Sequence, residues 1–336
     1  MRIAVIGSGG WGLAMARLLR QKGNEVALWS FLPEESALLR ETLGNEKLLP
    51  GVRLPSDIEF TTNLSCAEGC PLVIVATPSF GVAQAGRGLK EHLHSGQTVV
   101  LLSKGFDPEN GYCLLGESLK RELGPEIPVV IVTGPSHAEE VARDMPTAVL
   151  AASDRREAAE FTQQVLMTDW FRVYTSGDMV GAQLGGAMKN VFALAVGISD
   201  GAGFGDNAKA MLMTRGIAEM SRLGMLLGGC AETFAGLSGV GDLIVTCVSM
   251  HSRNRRAGLL IGGGMAARDA MAQIGATVEG YYATEAVHRL TEGKSVELPI
   301  CEAMYDVLFC GLSVRVAADR LLRRARCPEQ DVDPWQ

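Results

Sequence analysis

Hydrophobic and polar positions along this chain follow two different rhythms. Over the first half, short apolar runs recur at Ile3–Ile6, Glu25–Trp29, Leu72–Thr77, Thr98–Ser103, Val129–Thr133, Thr147–Ala152 and Arg172–Thr175, and each predicts a buried strand. Helical patterns lie between many of them, notably Leu13–Lys22, Val82–Leu93 and Arg155–Met167. Alternation of this kind predicts an α/β fold with a mostly parallel, doubly wound sheet covered on both faces. The loops after the carboxyl ends of its strands should form the ligand crevice. After about Gly177 strand signals fade, and helices are predicted at Met179–Ile198, Ala208–Leu226, Ala257–Ile274, Ala283–Glu292 and Glu302–Leu308. The expected organisation is a sheet domain over residues 1–177, an all-helical domain over 178–325 and a loose polar tail over 326–336.

The first strand ends in Gly7-Ser8-Gly9-Gly10-Trp11-Gly12, directly before a helical stretch. Glycines at the first, third and sixth positions of a strand–turn–helix unit mark a dinucleotide site of Rossmann-like type. Gly7 permits the tight turn, Gly9 lets the backbone approach a pyrophosphate, and Gly12 lets the helix pack on the strand. Unpaired amides and the positive helix end then face the phosphates. Arg2 and the Ala14-Met15-Ala16 run mimic a secretory signal, but four glycines interrupt the apolar core that such a signal needs.

Composition narrows the classes further. With 336 residues, 47% hydrophobic and 21% charged, the chain is long enough for two ordinary domains and is of globular type. A net charge of -7 argues against general nucleic-acid binding. No apolar run approaches the roughly 18 residues of a membrane span, so no membrane-crossing segment is expected. The eight cysteines are scattered, and reduced, mostly buried thiols in a cytoplasmic protein are expected. Neither they nor the five histidines fall at metal-site spacings, so no metal is expected.

Polar groups that interrupt apolar elements are the candidates for chemistry. Thr77-Pro78-Ser79, Ser103-Lys104-Gly105 and Gly134-Pro135-Ser136-His137-Ala138 each follow a predicted strand and should open on one crevice. Lys104 places a cation where a phosphorylated or carbonyl substrate could lie, although a lysine after a strand is often merely solvated. Lys189-Asn190 falls within Leu184–Val196, an otherwise apolar helix, so Lys189 either snorkels or points into a polar cavity. Partial burial would lower its pKa and suit it to exchange the proton of a carbonyl/alcohol pair. Asp242 is followed by apolar residues and needs a partner, for which Lys189 is the natural candidate. Ser252, Arg253 and Asn254 offer a hydroxyl, a guanidinium and an amide at a helix start, a set suited to a phosphate. Arg255 and Arg256 read as a solvated basic helix end. Gly201–Asp206, flanked by Asp200, fits no calcium loop and reads as a turn.

Together these segments carry a family resemblance. The ordered set Gly7–Gly12, Leu49–Pro55, Ser103–Gly105, Gly134–Ser136, Lys189-Asn190, Gly197–Gly201, Gly205–Lys209, Gly239–Thr246, Ser252–Arg256, Val278–Gly280 and Leu298–Ile300 resembles the soluble NAD(P)-dependent glycerol-3-phosphate dehydrogenases of bacterial type, over nearly the whole chain. The resemblance implies reversible reduction of dihydroxyacetone phosphate to sn-glycerol 3-phosphate for phospholipid synthesis, in a cytoplasmic homodimer. Carried over by position, Lys189 is the implied acid/base, with Lys104 and Asp242 beside the reacting oxygen and Asn190 bracing the same cluster. Gly134, Ser136, Ser252, Arg253 and Asn254 are implied substrate contacts. Gly10, Trp11, Lys104, Ala138, Arg253 and Glu279 are implied cofactor contacts. Phe31 stands where the family often has a basic residue for the 2′-phosphate of NADPH, and no acid ends the second strand. Glu34 and Glu35 follow, at an uncertain reach, so the choice between NADH and NADPH stays open with a lean towards tolerance of NADH. A β-hydroxyacid dehydrogenase and a catalytically silent redox sensor are the rival readings. A separate Ser252–Asn254 phosphate set speaks against the first, and the presence of both Lys189 and Asp242 against the second.

Overall fold

The computed structural model describes residues 1–329. Its strands are β1 (Arg2–Ile6), β2 (Glu25–Trp29), β3 (Glu59–Thr61), β4 (Leu72–Val75), β5 (Thr98–Leu101), β6 (Phe106–Asp107), β7 (Cys113–Leu114), β8 (Val129–Thr133), β9 (Thr147–Ala152) and β10 (Phe171–Ser176). Eight of them form one sheet in the order β10-β9-β8-β5-β4-β1-β2-β3, while β6 and β7 make a separate antiparallel pair. From β3 to β8 every pairing is parallel, in the order of a doubly wound dinucleotide fold. β9 runs antiparallel to β8, and β10 extends the sheet parallel to β9. The sheet is covered by helices α1 (Gly10–Gln21), α2 (Pro33–Thr42), α3 (Val82–Leu89), α4 (Leu115–Leu123), α5 (Ala138–Val141) and α6 (Arg156–Leu166).

Ile3, Ala4, Val5 and Ile6 are wholly buried because β1 has a neighbour on each side and helices over each face. Chain reversal after β1 depends on Gly7, whose φ of +120° side-chain-bearing residues rarely adopt. Gly12 has no room for a side chain, since a Cβ there would lie 1.8 Å from the Gly7 carbonyl oxygen. The turn is therefore shorter than the apolar pattern indicates, and α1 starts at Gly10 rather than Leu13. β4 and β5 end two residues before their predicted limits. Each keeps one more ladder bond, Ala76 N–H to Ile6 (2.8 Å) and Leu102 N–H to Val75 (2.9 Å), before turning into the crevice.

The second half is helical: α7 (Met179–Gly201), α8 (Asp206–Leu226), α9 (Ala231–Phe234), α10 (Asp242–Val248), α11 (Arg253–Gly262), α12 (Ala267–Ile274), α13 (Glu279–Thr291), α14 (Pro299–Phe309) and α15 (Val314–Leu322). α7 is the central helix, enclosed by α8, α10, α11 and α13. Its contact with α11 is backbone on backbone. A Cβ on Gly197 would lie 2.3 Å from the Arg255 carbonyl oxygen, and one on Gly258 would lie 2.3 Å from that of Leu194. The helix predicted over Ala257–Ile274 is two: α11 begins earlier, at Arg253, and Gly264 at φ +102° turns the chain into α12. By length and composition Met179–Gly201 and Ala231–Val248 could each cross a membrane, contrary to the expectation of no such run. α7 is nevertheless a core helix, almost entirely buried by its neighbours.

One further expectation needs correcting. Of the cysteines, all free, only Cys66, Cys70, Cys247 and Cys301 are buried, while Cys230, Cys310 and Cys327 are exposed. In the tail expected over 326–336, residues 326–329 are exposed and in neither helix nor strand, with one hydrogen bond, Arg215 Nη1 to the Glu329 carbonyl at 2.9 Å. Its residues from 330 onward lie outside the described residues.

Candidate active site

Three loops leave the sheet side by side, after β4, β5 and β8, as parallel pairing of those strands dictates. α7 and α10 face them. At the junction Asp242, the first residue of α10 and 1% exposed, receives two lysines. Lys189 Nζ, from the middle of α7, donates to Oδ1, and Lys104 Nζ, from the β5 loop, donates to Oδ2 at 2.6 Å. Lys189 also donates to Thr246 Oγ1 (3.0 Å), and Lys104 to the Gly134 carbonyl (3.1 Å). Lys104 is thus no solvated surface lysine, and Lys189 does not snorkel.

The electrostatics follow from burial and pairing. Burial pushes the Lys189 ammonium down to about 8, with the Lys104 charge adding to the fall and the Asp242 carboxylate opposing it. Burial acts on Asp242 in the opposite sense, yet the Lys104 and Lys189 cations prevail and hold its carboxyl below the usual range. A buried triad with two cations and one anion keeps its carboxylate ionised and leaves one ammonium poised to release a proton near neutral pH.

Around this cluster the expected residues take distinct places. Asn190 does not brace the lysine–aspartate pair. Its Nδ2 donates to the Gly186 carbonyl (3.5 Å), and its Oδ1 accepts from Asn254 Nδ2 (2.8 Å). Asn254 Oδ1 accepts the Gly280 amide (2.8 Å), so Asn254 joins α7, α11 and α13 and keeps one amide hydrogen for a ligand. Ser252 caps α11 by accepting the Arg255 amide (3.2 Å), and its own hydrogen stays available. Arg253 is exposed and lies within electrostatic reach of Glu279. Ser136 donates to the Gly134 carbonyl (2.8 Å), and Gly134 holds φ +137° hard against Val149. Glu279, at the start of α13, accepts the Ser79 hydroxyl at 3.1 Å, linking the β4 loop to the helical half.

Several residues escaped sequence reasoning. Arg255 is not solvated: it pairs with Asp200 (3.1 Å) and donates to the Val248 carbonyl (2.6 Å), fixing the loop that carries Ser252. Asp200 also takes Lys209 (3.0 Å), which accounts for the acidic turn near Gly201–Asp206. Thr246 stands four residues after Asp242, one helical turn along α10, a spacing that could have signalled its place. His137 Nε2 is buried with no hydrogen-bond partner, and burial followed by the Lys189 charge lowers its pKa.

The glycine turn fits a dinucleotide pyrophosphate. No side chain caps α1 at Gly9, so the first amides of the helix lack partners from that source. A Cβ on Gly9 would meet nothing within 4 Å, whereas one on Gly10 would meet Ala138 Cβ at 3.6 Å. Trp11 packs partly buried on the sheet core, and Phe31 is 63% exposed beyond β2. A doubly wound sheet with such a turn, facing a buried lysine–carboxylate cluster across the strand ends, defines a nicotinamide-dinucleotide-dependent dehydrogenase.

Comparison with known proteins narrows the class. Residues 2–159 match the family described as NAD-dependent glycerol-3-phosphate dehydrogenase N-terminus, and 178–319 match its C-terminus counterpart. A glycerol-3-phosphate dehydrogenase [NAD(P)+] of Pelotomaculum thermopropionicum is 47% identical, covering 98% of this chain and 95% of its own. One from Moorella thermoacetica is 46% identical over 99% of both chains. The crystal structure of glycerol-3-phosphate dehydrogenase from Coxiella burnetii superposes with a TM-score of 0.91 at 37% identity, covering 96% of this chain and 99% of that one. The chain belongs to the NAD-dependent glycerol-3-phosphate dehydrogenase family.

Proposed function

We propose that this chain reduces dihydroxyacetone phosphate reversibly to sn-glycerol 3-phosphate with NAD(P)H, supplying phospholipid synthesis. The observation that carries the reading is the largely buried Lys189–Asp242–Lys104 cluster set where the sheet loops meet α7. The glycine turn would hold the pyrophosphate of the dinucleotide, whose reduced nicotinamide would supply the hydride. The ketone oxygen lies against the Lys189 ammonium, so charge developing on that oxygen meets a fixed donor in low dielectric. Lys189 Nζ then gives up its proton to the alkoxide. Asp242 and Thr246 hold the amine in place, and the Lys104 charge favours its release. The substrate phosphate sits at the start of α11, where Ser252 and Asn254 each keep a hydrogen to donate and Arg253 brings a charge free of ion pairs among the described residues. Gly134 and Ser136 close the sheet side of the same pocket.

For the cofactor, Gly7, Gly9, Gly10, Trp11 and Gly12 form the pyrophosphate turn, Ala138 abuts it, and Lys104, Arg253, Glu279 and Phe31 border the rest. We also place the domain division at 177/178. The last sheet residue, Ser176, and the first of α7, Met179, support that position, as does the gap between the two matched family segments.

The test is Lys189→Ala with dihydroxyacetone phosphate and NADH or NADPH. Turnover should fall by about 10²–10⁴-fold, the range for loss of a general acid, while binding of the dinucleotide persists. Retention of wild-type turnover would overturn the assignment.

A further inference from the structure

Glu35 reaches further than its sequence position indicates. It stands in the first turn of α2, and its Oε2 accepts the Ser8 hydroxyl, inside the glycine turn, at 3.0 Å. The Gly7 amide donates to the Trp29 carbonyl at 3.0 Å, so the glycine turn, the end of β2 and the start of α2 form one corner. In a doubly wound sheet that corner receives the adenosine ribose of a dinucleotide.

We propose that Glu35 sets cofactor choice, taking a ribose hydroxyl of NADH and repelling the 2′-phosphate of NADPH. The proposal rests on the dehydrogenase reading above. Ser8 fixes one carboxylate oxygen, and among the described residues nothing donates to the other, which is left for a hydroxyl. Glu35 also has no ion pair among the described residues, so only the Ser8 hydroxyl and the start of α2 offset its charge. A 2′-phosphate would add roughly -1.5 to -2 charge beside it. The positions where a cation could offset that charge hold Phe31 and Leu32, both exposed and neither able to bind an anion. Arg40, further along α2, is turned away onto the Phe60 carbonyl at 2.7 Å.

Direct titration calorimetry of the full chain with NADH and NADPH, without substrate, tests this. NADH should bind about tenfold or more tightly than NADPH, as expected for like charges a few ångströms apart near a protein surface. Raising the salt should narrow the gap. In Glu35→Gln the NADPH affinity should rise about tenfold towards that of NADH. Ser8→Ala, which releases the carboxylate without removing it, should shrink the gap less and serves if Glu35→Gln does not fold. Equal affinities in the unaltered chain, tighter NADPH binding, or an unchanged ratio in both variants overturns the proposal. Failure of both dinucleotides to bind overturns the cofactor reading itself and this proposal with it.

Discussion

Two carboxylates lie equally deep in the helical half, and they titrate in opposite directions. Asp242 and Glu219 are each 1% exposed, and burial works to raise both. Asp242 meets two ammonium groups and ends below its usual range. Glu219, on α8, accepts the amides of Ile300 (2.7 Å) and Cys301 (3.1 Å) at the start of α14, with the Cys301 thiol and the Arg222 charge as weaker influences. Together these do not offset its desolvation, and it is pushed up to about 7. Depth therefore does not decide whether a buried acid stays ionised; cations in direct contact do. In the proposed reaction the cluster at Asp242 exchanges a proton, whereas Glu219 is a joint between two helices.

The contrast can be broken most forcefully at Asp242. Asp242→Ala strands two ammonium groups in a largely buried site, and urea unfolding should record a loss of about 3–5 kcal/mol, as for other half-broken buried pairs. An unchanged unfolding midpoint would mean that the lysines find other partners.

A pH profile of turnover sharpens the comparison. With Lys189 as the proposed acid, reduction requires its protonated form, so with its pKa near 8 the rate should fall above about pH 8, approaching tenfold per unit, while oxidation of the alcohol rises over the same range. In Asp242→Asn the carboxylate pull is gone, and the descending limb should move to lower pH. A profile flat through pH 8 in both directions would remove Lys189 as the acid.

The smallest effect is expected at Glu219. Its folded-state pKa, about 7, lies above the ordinary 4.5, so the folded chain binds the proton more tightly than the unfolded one. That contribution to stability is complete below about pH 4.5 and is lost as pH rises through about 7. Glu219→Gln, which keeps one acceptor for α14, should remove this slope from melting temperatures measured across the interval. Persistence of the same slope would place its origin elsewhere.

Legibility in the sequence tracked how local each cause is. The glycine turn could be read from six consecutive residues because strand, turn and helix follow one another directly. The inner strands could be read because both of their faces are buried and the apolar run is unbroken. α2, by contrast, buries only Ser36 and Leu39 and left little periodic signal, and β3 is a three-residue edge strand; α4 went unread although Leu115, Leu119 and Leu123 recur every four residues on its core face. In the site, Lys189 and Asp242 stood out as charges among apolar neighbours, and the structure brings them together. Asn190 misled for the same reason: adjacency to Lys189 indicated a shared role, but successive helical positions face different ways and Asn190 turns to Asn254. Arg255 misled because its partner Asp200 lies 55 residues away.

The sequence by itself determined the dinucleotide turn, the change from sheet to helix near residue 177 and the charged residues that apolar surroundings make costly to leave unpaired. Only the tertiary structure decided that Lys104 and Lys189 share one carboxylate, that Glu35 touches the glycine turn, and that α7 and α11 meet backbone to backbone through Gly197 and Gly258. The physical reason is range. Backbone conformation and solvent exclusion act over a few neighbouring residues and leave a periodic mark, whereas ion pairs and close backbone packing depend on distances that only the folded chain sets.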